Sequence, residues 1–203
     1  MPSNKLTMRK MQALATRQKI FDTAVSLFTR KGYDNVTIDD ICNKLGLSKG
    51  AFYAHFKSKD QIIIEKFMAA DDYYRDYALK EVSTLQNGAD RLMAFFRLAL
   101  RHIIKLGKAN MQIALHSQIR FDKKATFINL ENRALFTIAL SLIEDAQKSG
   151  EIRVDLTSRQ LARALISSFR GIVYDWCLPT SKFDLEEAGE DLVAILRDSL
   201  LRK

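Results

Sequence analysis

The residues best suited to chemistry in this chain lie in one short run: Lys49, Gly50, Ala51, Tyr53, Ala54 and His55. Lys49, Tyr53 and His55 supply hydrogen-bond donors that reach phosphate oxygens or base edges. Gly50, Ala51 and Ala54 add little bulk, so a backbone carrying them can approach another surface closely. At helical spacing Phe52 and Phe56 share one side, Gly50, Tyr53 and Ala54 fall opposite, and Lys49, Ala51 and His55 flank them. An apolar side beside a donor-rich side suits nucleic acid, because a major groove about 12 Å wide admits a single helix. The competing reading makes Tyr53 and His55 packing residues at the edge of a helical core.

Other chemistry finds little support. The nucleotide-loop, zincin, nucleophile-elbow and CxxC signatures do not occur in the sequence. The histidines are His55, His102 and His116, and Cys42 and Cys177 are far apart with no second cysteine beside either. Neither a disulfide framework nor a metal site is implied. The expectation is a protein that is not an enzyme and uses no cofactor and no metal.

The elements that must position the run follow from periodicity. Ile20, Ala24, Leu27 and Phe28 recur at i, i+4, i+7 and i+8, predicting an amphipathic helix over 16–31 that stops at Gly32. Thr37 with Asp40 three residues later resembles a capping box ahead of Ile38, Ile41, Cys42 and Leu45. Gly46 supplies the turn, Ser48 the next N-cap, and a second helix over 48–56 carries the run itself. Ser58 then caps a helix that opens at Lys59 and meets no breaker before about Leu85.

Further helices are predicted from Leu92 to about Gly107, around Met111 to His116, from Lys123 to Lys148, from Ser158 to Cys177 and from Leu185 to Leu201. Pro2 and Pro179 are the two prolines, and alternating strand patterns are missing from the sequence, so the fold class is all-α. No apolar block of signal-peptide length follows Lys5, Arg9 and Lys10, and the apolar run from Ala134 to Ile143 is too short to span a bilayer. A cytoplasmic protein with no membrane partner is expected.

The net charge of +8 is unevenly spread. Residues 1–66 hold 12 lysines and arginines against 6 carboxylates, whereas the remainder holds 20 against 18. Such a basic first third fits a polyanion partner through counterion release; a solubilising face is the plainer alternative. Lys5, Arg9 and Lys10 are read either as a minor-groove arm or as a frayed basic terminus.

The run from Thr16 to Phe67, with its opening TR, its KGY turn, T-I-x-x-I, L-G-L-S-K-G-x-F-Y-x-H-F and K-S-K, resembles the DNA-binding domain of the TetR family of bacterial transcriptional regulators. The resemblance implies a three-helix helix-turn-helix domain over 14–74, preceded by a basic arm over 1–13 and followed by an effector-binding and dimerisation domain over 75–203. It implies that Lys49, Gly50, Tyr53 and His55 touch DNA, that Thr37 caps a helix beside the backbone, and that Lys59 meets a phosphate. Ala51 stands where many members have a hydroxyl and Ala54 where many have an aromatic residue, which shifts weight toward DNA shape.

For the C-terminal part, the resemblance implies a small-molecule effector among the middle helices and a homodimer through the last two. Pocket candidates are Phe96, Leu100, Met111, His116, Phe127, Tyr174 and Trp176. Ala164, Ser168 and Gly171 line up as a face of small residues, and Leu192, Ile195 and Leu196 exceed what one core face needs, so these six form the expected dimer interface. Arg97, Arg101 and Lys105 make a basic ridge, read as solvated or as facing an anionic effector. The functional expectation is a DNA-binding regulator, of repressor type, that binds a palindromic operator on double-stranded DNA and is released by an effector. The alternative is a DNA-scaffolded interaction protein of the same fold that answers to a protein partner.

Overall fold

The computed structural model describes residues 8–120 and 131–201. They fold into helices α1 (Met8–Lys31), α2 (Ile38–Leu45), α3 (Lys49–Tyr53), α4 (Lys59–Met68) and α5 (Ala70–Tyr73), then a π-helical turn over Tyr74–Ala78. The chain continues through α6 (Leu79–Val82), α7 (Gly88–Leu106), α8 (Lys108–Arg120), α9 (Ala134–Lys148), α10 (Ser158–Cys177) and α11 (Leu185–Leu200). Among the described residues the extended pairing is limited to one isolated bridge between Ile152 and Leu201, so the all-α expectation holds. The chain divides into two compact units between Phe67 and Met68.

In the N-terminal unit, Ile20, Ala24, Leu27 and Phe28 of α1 are buried with Val36, Ile41, Cys42, Phe52, Phe56, Ile62 and Ile63. Arg17 ties α1 to α4: its guanidinium donates to both Glu65 carboxylate oxygens at 2.5 and 2.7 Å and lies over the Phe56 ring at 4.4 Å. α1 begins at Met8, well ahead of the predicted start. Residues 8–15 are exposed and have no apolar periodicity to reveal them, but Met, Arg, Lys, Gln, Ala and Leu are all good helix formers. Arg9 and Lys10 therefore sit in the first turn of a helix.

In the C-terminal unit, α7 is the central rod. Leu92, Met93, Phe95, Phe96, Ala99, Leu100 and Ile103 on it are buried. Gly189 lets α11 approach α7: a Cβ built there would sit 2.5 Å from the Leu100 Cδ1. Two predicted boundaries are corrected here. The helix expected from Lys59 to Leu85 is broken into α4, α5, the π turn and α6. The widened turn places Tyr74 and Ala78 together on the buried side, with the Tyr74 ring against Phe95 and His102. The helix expected over Lys123–Lys148 is not continuous, since Arg133 is extended (φ −72°, ψ 148°) and α9 starts at Ala134; residues 123–130 lie outside the described residues.

Candidate nucleic-acid interface

The face that carries the candidate residues is assembled by local hydrogen bonds. The Thr37 hydroxyl accepts from the Asp40 backbone N–H at 3.1 Å, and the Asp40 carboxylate accepts from the Thr37 N–H at 2.8 Å. That box starts α2, and the Thr37 hydroxyl holds the Asp40 carboxyl below the usual carboxylate range. Gly46 ends α2 at φ 66°, a left-handed conformation that costs a side-chain-bearing residue about 1–2 kcal/mol. The chain turns at once, and the Ser48 Oγ accepts from the Ala51 N–H at 3.2 Å to open α3.

α3 is short, but its hydrogen bonding continues past Tyr53: the Ala54 N–H donates to the Gly50 carbonyl at 3.0 Å and the Phe56 N–H to the Phe52 carbonyl at 3.0 Å. Phe52 and Phe56 are buried, which turns Lys49, Gly50, Tyr53 and Ala54 outward. Tyr53 is 53% exposed, so half its ring is free of the core. Ala51 and His55 are half-buried at the margins of this face. Lys49 is paired with Asp39 of α2, Nζ to Oδ2 3.0 Å, and that carboxylate raises the affinity of the ammonium for its proton.

Lys59 is placed differently from the expectation. Its ammonium donates to the Tyr33 carbonyl at 2.9 Å and to the Val36 carbonyl at 3.0 Å, and it lies 4.0 Å from the centre of the Tyr33 ring. Two of its three donors hold the loop ahead of α2, so the side chain serves the fold before any phosphate. Asp60 beside it accepts from the Tyr33 hydroxyl.

The family model "Bacterial regulatory proteins, tetR family" matches residues 20–65, the stretch that contains this whole arrangement. The chain is 24% identical over 201 residues to the HTH-type transcriptional regulator AcrR of Shigella flexneri, covering 95% of this chain and 92% of that protein. Residues 20–65 are by the family match a TetR-type regulatory domain. Over nearly its whole length the chain is similar to helix-turn-helix transcriptional regulators. Two solved structures share the fold. One is the Thermus thermophilus FadR repressor in complex with lauroyl-CoA, with TM-score 0.72, 19% identity and coverage of 92% of this chain and 96% of that one. The other is a transcriptional regulator from Saccharomonospora viridis in complex with choline, with TM-score 0.73, 23% identity and coverage of 94% and 100%.

The pocket candidates fare unevenly. Phe96, Leu100 and Met111 are buried as core, Phe96 against Phe169 and Leu100 against Gly189. Tyr174 is 46% exposed and shares an outer face of α10 with Gly171 and Ala164, three and ten residues away along the helix. Trp176 is half-buried on the flank of α10 beside Ile172. Phe127 and the side chain of His116 lie outside the described residues.

Of the expected interface residues, Ala164 and Gly171 are exposed, Ser168, Leu192 and Leu196 are half-buried, and Ile195 is 66% exposed. The Arg97 end of the basic ridge is paired with Glu190 at 2.6 Å. It borders a surface groove of about 220 Å³ with Val82, Leu85, Leu98 and Arg101.

Sequence reasoning missed a polar cluster inside the C-terminal unit. Arg133 donates to Asp71 at 2.8–3.0 Å through two nitrogens, and both residues are buried. Burial, and then the neighbouring Arg133, lower the Arg170 pKa, and burial drives the Tyr74 phenol well above its ordinary range. His102 stacks on Tyr73 with ring centres 4.0 Å apart, and burial followed by Lys105 holds its pKa below the ordinary value. Among the described residues no group of acidic, histidine and cysteine side chains could hold a metal, and no helix is long and apolar enough to cross a membrane.

Proposed function

We propose that this chain is a transcriptional repressor that binds a palindromic operator as a twofold dimer and is released by a small-molecule effector. The observation that carries the DNA reading is the outward face of α3, where Lys49, Gly50, Tyr53 and Ala54 are exposed while Phe52 and Phe56 anchor the helix from behind. On this reading Lys49 and Tyr53 reach phosphates and base edges, His55 and Ala51 sit at the margins, and Thr37 acts through the N-terminus of α2. A dimer would present two such helices to successive major grooves, with half-site centres roughly 34 Å or slightly more apart.

The dimer is supported by the exposed Ile195 and the small-residue face of Ala164, Ser168 and Gly171, with Tyr174 added to that face. The effector reading is supported by the buried Asp71, Arg133 and Tyr74, since polar groups in an otherwise apolar interior are what orients a ligand. Lauroyl-CoA and choline, bound by the two structural neighbours, differ in charge, so neither carries over as this chain's effector.

The DNA reading is tested by fluorescence anisotropy on the duplex that the chain enriches most from a randomised pool. Tyr53→Ala and Lys49→Ala are each expected to weaken binding at least tenfold with unchanged helicity. Retained affinity in both would assign these residues to the surface and remove the reading. The effector reading is tested by thermal shift against apolar, aromatic and ionic libraries, where a ligand of the folded state raises the melting temperature; the absence of any hit would favour a protein partner.

A further inference from the structure

The recognition face carries one group that opposes its purpose. Asp39 places a carboxylate, 57% exposed, on the side of α2 that faces Lys49, and its Oδ2 lies 3.0 Å from the Lys49 Nζ. A surface built to meet phosphate gains nothing from a bare negative charge. Helix capping does not account for it either. Of the two adjacent carboxylates, Asp40 closes the capping box with Thr37, and Asp39 takes no part in it.

The position of Lys49 suggests what the carboxylate does. Lys49 is the first residue of α3, where a cation faces the positive end of the helix dipole. Its four-carbon stem is flexible, and an ammonium at its tip is a point charge with no direction of its own. Asp39 supplies both the compensating charge and the direction. One of three ammonium donors goes to Asp39, and the remaining two point away from the carboxylate, toward whatever docks on the face.

We propose that Asp39 is a specificity-determining, positioning residue: it orients Lys49 for an acceptor at a fixed place on the operator and penalises contact with phosphate elsewhere. This inference rests on the DNA reading above. A free lysine neutralises any phosphate within reach and so adds affinity without discrimination. One already paired at 3.0 Å gains from DNA only where an acceptor pair such as guanine O6 and N7 meets its remaining donors. The carboxylate meanwhile repels the backbone of every duplex that docks out of register.

The test compares the wild type with Asp39→Asn, which keeps the shape and removes the charge, on the pool-enriched duplex and on a scrambled duplex of equal length. Binding is measured across a salt series. Asp39→Asn is expected to tighten binding to the scrambled duplex and to steepen the log–log salt slope by about 0.9 for each subunit that gains a phosphate contact. The enriched-to-scrambled affinity ratio is expected to fall about fivefold or more, the lower edge of what one base-edge contact provides.

In a Lys49→Gln background the same substitution should leave that ratio unmoved, since no ammonium remains to be oriented. A role confined to stabilising α3 would alter melting but neither the slope nor the ratio. If Asp39→Asn leaves slope and ratio at wild-type values, or raises the ratio, the inference is overturned while the DNA reading stands. If the wild type enriches no duplex and prefers neither, the DNA reading itself fails.

Discussion

Removing Asp71 gives the sharpest test of how the C-terminal unit is held together. The Asp71 and Arg133 side chains are 9% and 7% exposed, and two guanidinium nitrogens meet the carboxylate at 2.8–3.0 Å. A pair at the surface would contribute about 0–1 kcal/mol. Inside, Asp71→Ala takes the carboxylate from a buried guanidinium, and deleting one member of a buried pair costs about 3–5 kcal/mol. For a chain of this size about 2–4 °C accompany each kcal/mol, so the melting temperature should fall by roughly 6–20 °C. The assay is unfolding followed by fluorescence of Trp176, the single tryptophan, which lies on α10 within the same unit and reports on it alone. Glu190→Ala, which breaks the more exposed pair to Arg97, is the control and should stay within about 1 kcal/mol. Asp71→Ala combined with Arg133→Met should recover most of the loss, because the charge departs with its partner. The reasoning is refuted if Asp71→Ala costs no more than the control, or if the double variant is no more stable than Asp71→Ala.

Two further outcomes are expected. On the proposed twofold dimer, Ile195→Lys should yield a monomer in sedimentation velocity without loss of helicity: burying one isoleucine contributes about 1.5–3 kcal/mol, and such an interface would use it twice. Because burial against Tyr73 and Tyr74, and then Lys105, depress the His102 pKa, the unfolded chain takes up the proton first. The stability from neutral His102 is therefore full above about pH 6.5 and is lost as pH falls from there through the lower folded value. Urea midpoints read at Trp176 should show that decline in the wild type and a flatter profile in His102→Phe.

The helix-turn-helix was legible because each of its signals is local. Thr37 with Asp40, Gly46, Ser48, and Phe52 with Phe56 act within four residues of each other, and the structure uses each as its type suggests. The Asp71–Arg133 pair joins residues 62 positions apart, and nothing in the flanking sequence of either marks it. The π turn over Tyr74–Ala78 is hidden for another reason: Tyr73, Tyr74 and Tyr77 all suit a helix, and the contacts of Tyr73 with His102 and of Tyr74 with Phe95 are distant in sequence. The exposure of Tyr174 is not legible from its type, since an aromatic residue signals interior while its angle around α10 sets it with Ala164 and Gly171 outside. The hold of Lys59 on the Tyr33 and Val36 carbonyls is not legible, because those partners lie 26 and 23 residues away in sequence.

That last contact bears on how α3 can be disturbed. With its ammonium clasped by the Tyr33 and Val36 carbonyls, Lys59 makes the strap from Gly32 to Thr37 a passenger of α4. The Tyr33 hydroxyl grips the next residue, Asp60, so the strap is riveted twice to one helical turn. A rotation of α4 would therefore drag the strap and, with it, the root of α2, and α3 hangs from α2 by the three residues after Leu45. Whatever turns α4 thus displaces α3 without touching it.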